Sequence, residues 1–310
     1  MLGSVRGWRF ERGLDKDFME KLESLAMRPE WFADVLADTS LILGVRKNYV
    51  NVYRLGQSLF KIERPSKTGP LKFSTHPKYL INPDLYKPVS FDGSKFIVDK
   101  PKMLLETYTG PETLDRMKRA ARLYRGDEKY GVHAVVNANP NVIDTEVAFS
   151  REGEADKGPT ALRIDLAHLE EVEGLIRLRF WEAKLFANAD IRSEREGVPR
   201  VVEQVRGYRD LIEKHREEVI NSYRRVACNL AEMGTWVKSN RKVGALVDRV
   251  AKGETPFIDE PPTVGLIIYR YDDAQWKSKR WKTHLEKLTN EPHMPVRHAG
   301  DAKNIRLDGR

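Results

Sequence analysis

Glu182 and Lys184 are the two residues whose types and spacing best suit chemistry. They lie in the segment 175–185, which is otherwise built from apolar residues and two arginines. Side chains alternate between the faces of a strand, so the acid and the amine point to one side while Trp181 and Ala183 point to the other. Charges in such a strand require a partner or a metal ion. An ion pair on an edge strand is the simpler alternative.

A second carboxylate, Asp165, lies in the preceding strand-like segment, within the run Arg-Ile-Asp-Leu. If the two segments pair as a hairpin through residues 170–174, Asp165 can lie near Glu182, although the sequence does not fix the register. Two carboxylates beside a lysine suit a hard cation such as Mg²⁺ or Mn²⁺. Such an ion can activate water and neutralise charge on a phosphate, while the lysine orients the nucleophile.

The acid-x-lysine tripeptide is short, and residues 127–129 and 301–303 match it as well. Neither of these lies in a predicted strand that follows a strand carrying an aspartate. Gln204 and Tyr208 add a further signal, because residues four apart in a helix share one face. An ordinary amphipathic helix with a buried tyrosine is the alternative interpretation.

The elements around these residues can be predicted from their patterns. Three strands are expected, at 142–149, 161–169 and 175–185, separated by polar linkers that contain glycine. A long helix over 199–233 and a continuous apolar strand over 263–271 follow.

Two further helices flank this segment. The first begins at the capping box Thr109–Glu112, has a break at Gly126 and ends before Asn139-Pro140. The second is a basic amphipathic helix near 274–288. The predicted order is therefore helix, three strands, helix, strand, helix.

The N-terminal third has a different pattern. Residues 14–38 indicate one or two short helices broken near Pro29, and residues 41–62 indicate a meander of two or three strands. A proline-rich stretch follows, with strands expected near 71–74 and 95–98. This pattern is typical of a small α+β module.

In combination, the Ile-Asp strand, the Glu-x-Lys strand and the Gln-x-x-x-Tyr helix resemble the RecB-like branch of the PD-(D/E)XK nuclease superfamily, over residues 112 to about 290. The resemblance implies an α/β fold with a restriction-endonuclease-like mixed sheet flanked by helices at 109–310, after an N-terminal α+β module at 1–108. It also implies a deoxyribonuclease that depends on Mg²⁺ or Mn²⁺ and hydrolyses DNA phosphodiester bonds.

The resemblance carries roles onto individual residues. Asp165 and Glu182 would bind the metal, and Lys184 would act at the attacking water. Gln204 and Tyr208 would contact the DNA or shape the site.

The family also places an additional acid on the helix before the first strand. Glu128 fits this position best, because the segment that follows it runs from a helix into Asn-Pro. Glu146, in the first strand, is the rival. The iron–sulfur subgroup of this branch is excluded, since it needs four cysteines and the chain has only Cys228.

Charge agrees with a polyanionic partner. The chain of 310 residues carries 54 Lys and Arg against 46 Asp and Glu, a formal net charge of +8. Two segments are candidate DNA contacts: the helix bearing Lys118, Arg119, Arg122 and Arg125, and the tryptophan- and lysine-rich run 276–282. Solvated helix faces are the alternative interpretation of both.

Several classes lack support in the sequence. There is no Walker-type loop and no Gly-x-Ser-x-Gly motif, so a helicase would have to be a separate protein partner. No apolar run is long enough for a membrane span and no signal core is present, so we expect a cytoplasmic protein.

Alternatives to a deoxyribonuclease stay open from sequence: an inactive nucleic-acid-binding protein of the same fold, and a nuclease that acts on RNA. The role of the N-terminal module is open as well, among DNA binding, partner binding and homodimer formation.

Overall fold

The computed structural model describes residues 8–66, 69–80, 89–97, 106–151, 162–193 and 197–308. The chain divides into two compact units. The five-strand unit consists of residues 1–11, 134–224 and 244–310, and the six-strand unit of residues 12–133 and 225–243. Both are mixtures of helices and a sheet.

The helices, in chain order, are α1 (Lys16–Ala26), α2 (Trp31–Ala37), α3 (Pro111–Leu123), α4 (Asp127–Ala138), α5 (Arg200–Lys214), α6 (Arg216–Thr235), α7 (Ala245–Ala251), α8 (Asp273–Lys277) and α9 (Lys279–Thr289). The strands are β1 (Trp8–Arg9), β2 (Ile42–Arg46), β3 (Tyr49–Arg54), β4 (Gln57–Glu63), β5 (Lys72–Thr75), β6 (Val89–Phe91), β7 (Phe96–Ile97), β8 (Val142–Ala148), β9 (Ser150–Arg151), β10 (Arg163–Val172), β11 (Leu175–Leu185), β12 (Val264–Tyr269) and β13 (Val296–Ala299).

The six-strand unit is an antiparallel meander in which β2 to β7 pair in chain order. Trp31, fully buried on α2, packs against the rings of Phe60, Phe73 and Phe91 at centroid distances of 4.8, 5.1 and 5.1 Å. Gly56 makes the turn between β3 and β4 with a φ of 73°, a left-handed conformation that glycine adopts without penalty. The predicted meander over 41–62 is confirmed as β2, β3 and β4.

The division of the chain differs from the boundary predicted between residues 108 and 109. Residues 109–133 and 225–243 group with the N-terminal third. Long-range hydrogen bonds explain part of this grouping, because the Arg241 guanidinium donates to the carbonyls of Val35, Asp38 and Leu41. Burial lowers the pKa of Arg241 to about 10.

The five-strand unit contains a mixed sheet with the strand order β13-β12-β11-β10-β8. Strands β8, β10 and β11 pair antiparallel, whereas β12 runs parallel to both β11 and β13. Glu173 and Gly174, with φ of 53° and 83°, form the tight turn of the β10–β11 hairpin. All six residues of β12 are buried, as its continuous apolar run predicts.

Most predicted elements of this unit are confirmed, with two subdivisions. The long helix over 199–233 is two helices, α5 and α6, separated at His215. The basic helix near 274–288 is also two, because Ser278 ends α8 and caps α9 by accepting a hydrogen bond from the Trp281 backbone. Strand β13 was not predicted, and most of the linker after β9 lies outside the described residues. None of the described helices combines the length and apolar character needed to cross a membrane.

Candidate active site

The strand register brings Asp165 next to Glu182. Leu166 is paired with Trp181, so the next position along the hairpin sets Asp165 across from Glu182. Opposed residues of antiparallel strands project from the same face. The Asp165 carboxylate accepts a hydrogen bond of 2.8 Å from the Ala183 backbone N–H. The two carboxylates therefore lie on one face of neighbouring strands.

Glu182 and Lys184 form a buried pair in the interior of the sheet. The Lys184 ammonium donates to Glu182 Oε1 at 2.6 Å, and the two residues are only 7% and 3% exposed. Strand β11 lies between β10 and β12, so the pair is not on an edge strand. This position removes the simple explanation of a solvated edge pair, because two charges buried this deeply carry a large desolvation cost.

Helix α5 covers this face of the sheet with Gln204 and Tyr208, whose spacing of four residues puts them on one side of the helix. Gln204 Nε2 donates to Glu182 Oε1 at 3.0 Å and to the Tyr208 hydroxyl at 2.5 Å. The Tyr208 hydroxyl in turn donates to the carbonyl of Arg163 on β10. The predicted shared face of Gln204 and Tyr208 is thus present, and it is directed at Glu182.

Tyr208 is held in its neutral form. Burial is the main cause that raises the pKa of its hydroxyl well above the usual value, followed by the negative charge of Glu182. Asp165 and Glu146 raise it further.

Glu146 is the third acid of this row. Thr145 pairs with Leu166 and Val147 with Ile164, so Glu146 is set across from Asp165 on β8. It is half-buried and has a φ of 54°, which is uncommon for a residue other than glycine inside a strand. Backbone in this conformation is found disproportionately at functional sites.

Glu128, the preferred additional acid from sequence, lies on α4. It is half-buried in the first turn of α4 and belongs to the six-strand unit. The register that joins Glu146, Asp165 and Glu182 is internal to the five-strand unit and does not include it.

The carboxylates have the donor chemistry of a hard-cation site, since oxygen ligands are those that Mg²⁺ and Mn²⁺ prefer. Within the described ranges, however, no group of three or more His, Cys, Asp or Glu side chains is arranged so that it could hold a metal ion. Glu182 Oε1 accepts hydrogen bonds from Lys184 and Gln204, and the Asp165 carboxylate accepts one from the Ala183 backbone N–H.

No family model, curated protein or solved structure matches this chain.

The opposite face of the same sheet holds a charge network that the sequence analysis missed. Glu170 accepts hydrogen bonds from Arg177 at 2.5 Å and from Arg179 at 3.1 Å, and Arg177 also reaches Asp259 at 3.1 Å. The alternation of charged and apolar residues in β11 could have indicated this second polar face. The partners Glu170 and Asp259 depend on tertiary contacts.

In α3, one of the two candidate DNA-binding segments, a lysine is already paired with carboxylates of the protein. Lys118 on α3 forms ion pairs with Asp38 at 2.6 Å and Asp115 at 2.8 Å. Burial works against its charge, but hydrogen bonds that its ammonium donates to both carboxylates keep the pKa of Lys118 above its usual value. Its ammonium is thus occupied within the protein, whereas Arg119 and Arg122 on the same helix are exposed.

Proposed function

We propose that this chain is a metal-dependent nuclease of the PD-(D/E)XK type that hydrolyses phosphodiester bonds in DNA. The observation that carries the proposal is the convergence of Asp165, Glu182 and Lys184 on one face of two interior strands. Gln204 and Tyr208 on α5 support it, since they contact Glu182 and the β10 backbone beside it.

The order of the elements also supports the proposal. Helix α4, strands β8, β10 and β11, helix α5, strand β12 and helix α9 follow one another as the resemblance implies. A helical crossover joins the parallel strands β11 and β12, as parallel pairing requires. A restriction-endonuclease-like core is accordingly part of this proposal.

Asp165 and Glu182 would hold Mg²⁺ or Mn²⁺, with Glu146 as the additional acid, once these side chains leave the arrangement described above, in which they do not form a metal-binding group. Glu146 is preferred to Glu128 because it is in register with Asp165. When bound, the ion would supply an activated water and positive charge at the scissile phosphate. To bind the ion, Glu182 would give up part of its ion pair with Lys184.

The remaining residues have roles that follow from their contacts. Lys184, held at 2.6 Å from Glu182, presents an ammonium that can donate to the attacking water or to a phosphate oxygen. Gln204 fixes the orientation of the Glu182 carboxylate through its 3.0 Å hydrogen bond. Neutral Tyr208 ties α5 to the backbone of β10 and so holds Gln204 in place.

The test is cleavage of supercoiled plasmid DNA with Mg²⁺, Mn²⁺ or EDTA. We expect cleavage with either metal and none with EDTA. Asp165→Asn and Lys184→Ala should each lower the rate by about 100-fold or more, the usual effect of removing a group that stabilises developing charge. Asp248→Asn and Lys252→Ala, which remove the same groups from an exposed ion pair on α7, should cleave normally.

Two outcomes would contradict the proposal. Cleavage that persists in Asp165→Asn and Lys184→Ala would show that another site, or a contaminant, is responsible. DNA binding by the wild-type protein without any cleavage under the metal conditions above would favour the inactive nucleic-acid-binding protein instead.

A further inference from the structure

The Trp276 ring stacks on two smaller rings, those of Tyr271 and His298, at the end of the parallel strands. The Trp276 ring lies 3.9 Å from the His298 ring and 4.5 Å from the Tyr271 ring, with interplanar angles of 23° and 25°. The Tyr271 hydroxyl and His298 Nδ1 are 2.7 Å apart, which fixes the two smaller rings beside each other. His298 is exposed and Trp276 and Tyr271 are half-buried, so the stack reaches the surface.

The stack lies in the same part of the sheet as the candidate active site. Lys184 pairs with Ile268, and Ile268 pairs with His298, so the three residues form one row across β11, β12 and β13. Residues paired in this way project from the same face. Two strand spacings separate Lys184 from His298, a distance of about 10 Å between their backbones.

A cluster of buried aromatic side chains links the stack to β11. Phe186 follows the strand directly, two residues after Lys184, and its ring lies 4.7 Å from that of Trp281. Trp281 is buried and lies 5.4 Å from the Trp276 ring. The Arg192 guanidinium covers Phe186 and Trp281 at 4.8 and 5.4 Å. The three rings are therefore held on a packed support.

The segment after Trp276 has an excess of positive charge, whereas Asp272 and Asp273 precede it. Residues 276–287 contain five Lys and Arg and a single Glu. Lys279, Arg280 and Lys282 are exposed. The field of this cluster is visible at His284, where burial and then the charges of Arg192, Arg280 and Lys287 hold the pKa below its usual value.

We propose that Tyr271, Trp276 and His298 form a platform on which unpaired bases stack, so that the site takes single-stranded DNA or a single-stranded flap. The inference rests on the proposed function and names its substrate class. Cations alone would bind the phosphates of any nucleic acid, whereas exposed rings contact only bases whose faces are not already stacked in a duplex. A spacing of about 10 Å lets one strand bridge the platform and Lys184 with few nucleotides.

The test measures binding without turnover, by fluorescence anisotropy in EDTA. The probe is an oligothymidylate of about 12 nucleotides, within the site size of known single-strand binders. An abasic oligonucleotide and a duplex of the same length are compared with it, at one fixed salt concentration because phosphate contacts depend on salt. We expect the wild-type protein to prefer oligothymidylate to both.

Trp276→Ala should weaken oligothymidylate binding by about 10-fold or more, because one base–aromatic stack contributes roughly that factor. Its affinity for the abasic oligonucleotide should stay the same. Trp276→Phe, which keeps a ring, should retain most of the preference and guards against a folding defect. Tyr130→Ala removes another exposed aromatic ring that has an arginine 4.5 Å away, and it should bind as the wild type does.

The platform proposal is contradicted if the wild type binds the abasic probe as tightly as oligothymidylate. It is also contradicted if Trp276→Ala leaves the preference for oligothymidylate unchanged. These results are separable from failure of the proposed function. Cleavage of plasmid by a protein without base preference would leave the nuclease and remove the platform. Base-dependent binding by a protein that never cleaves would leave the platform and remove the nuclease.

Discussion

The two faces of the five-strand sheet both bury charges, but in different proportions. On one face, Glu170 and Asp259 are matched by Arg177 and Arg179 in a network of short contacts. On the other face, the carboxylates of Glu146, Asp165 and Glu182 lie in one row, where Lys184 is the buried cation that pairs with Glu182. The first cluster pairs its carboxylates with arginines, whereas the second pairs Glu182 with a lysine.

This difference teaches what each cluster is suited for. Arginine presents a rigid fork of donors and keeps its charge when buried, which suits a permanent structural pair. Lysine is a compact point charge with rotatable donors, and it can leave one partner for another at small geometric cost. A row of carboxylates with an exchangeable lysine is therefore suited to a cation and a substrate, whereas the arginine network is suited to stability.

The largest expected effect tests the structural face. Glu170→Gln leaves the buried Arg179 and the half-buried Arg177 with less negative charge beside them, so the free energy of unfolding should fall by about 3 kcal/mol. Urea denaturation measures this change. Glu171→Gln is the matched control, because Glu171 is the next residue of β10, is about half exposed and pairs with Arg249. An equal loss of unfolding free energy in both variants would mean that the network adds no more stability than an exposed ion pair does.

The second effect is a dependence of stability on pH that arises at Tyr208, on the face of the sheet that carries the candidate active site. The pKa of Tyr208 is raised by burial and by the carboxylates, so the folded protein holds this proton more tightly than the unfolded chain does. The resulting stability is complete below pH 10 and is lost as pH rises, at up to about 1.4 kcal/mol per pH unit. Tyr208→Phe should show a shallower decline between pH 10 and about 11.

The two proteins are compared by the slope of unfolding free energy against pH. Their absolute stabilities are not compared, because Tyr208→Phe also loses the hydrogen bond to the Arg163 carbonyl. Identical slopes in wild type and variant would mean that folding does not raise the pKa of Tyr208. Asp165→Asn should give an earlier ionisation of Tyr208 because it removes one of the charges that raise its pKa.

The smallest effect has the opposite sign to the first. Asp165→Asn keeps an oxygen that can accept from the Ala183 N–H, and it removes one negative charge from the row. The free energy of unfolding should stay the same or rise by up to about 1 kcal/mol, as is common where a site is built for function at some cost in stability. Urea denaturation without added metal checks it. A loss of stability as large as that of Glu170→Gln would make the two faces equivalent.

The sequence alone determined the features that depend on local periodicity. Alternation along β11 was enough to put Glu182 and Lys184 on one side, and helical spacing was enough to join Gln204 and Tyr208. Apolar runs and turn residues were enough to predict β8, β10, β11 and β12 close to their observed bounds. These properties involve neighbours within a few residues, so they can be predicted without the rest of the molecule.

Only the tertiary structure decided which of these local features meet. The register of β8 and β10 sets Glu146 across from Asp165, and the insertion of β12 beside β11 makes the Glu182–Lys184 pair interior. The short strand β13 brings His298 to Trp276. Register and strand order depend on the packing of segments distant in sequence, and a shift of one residue would turn every side chain to the other face. No local pattern contains that information.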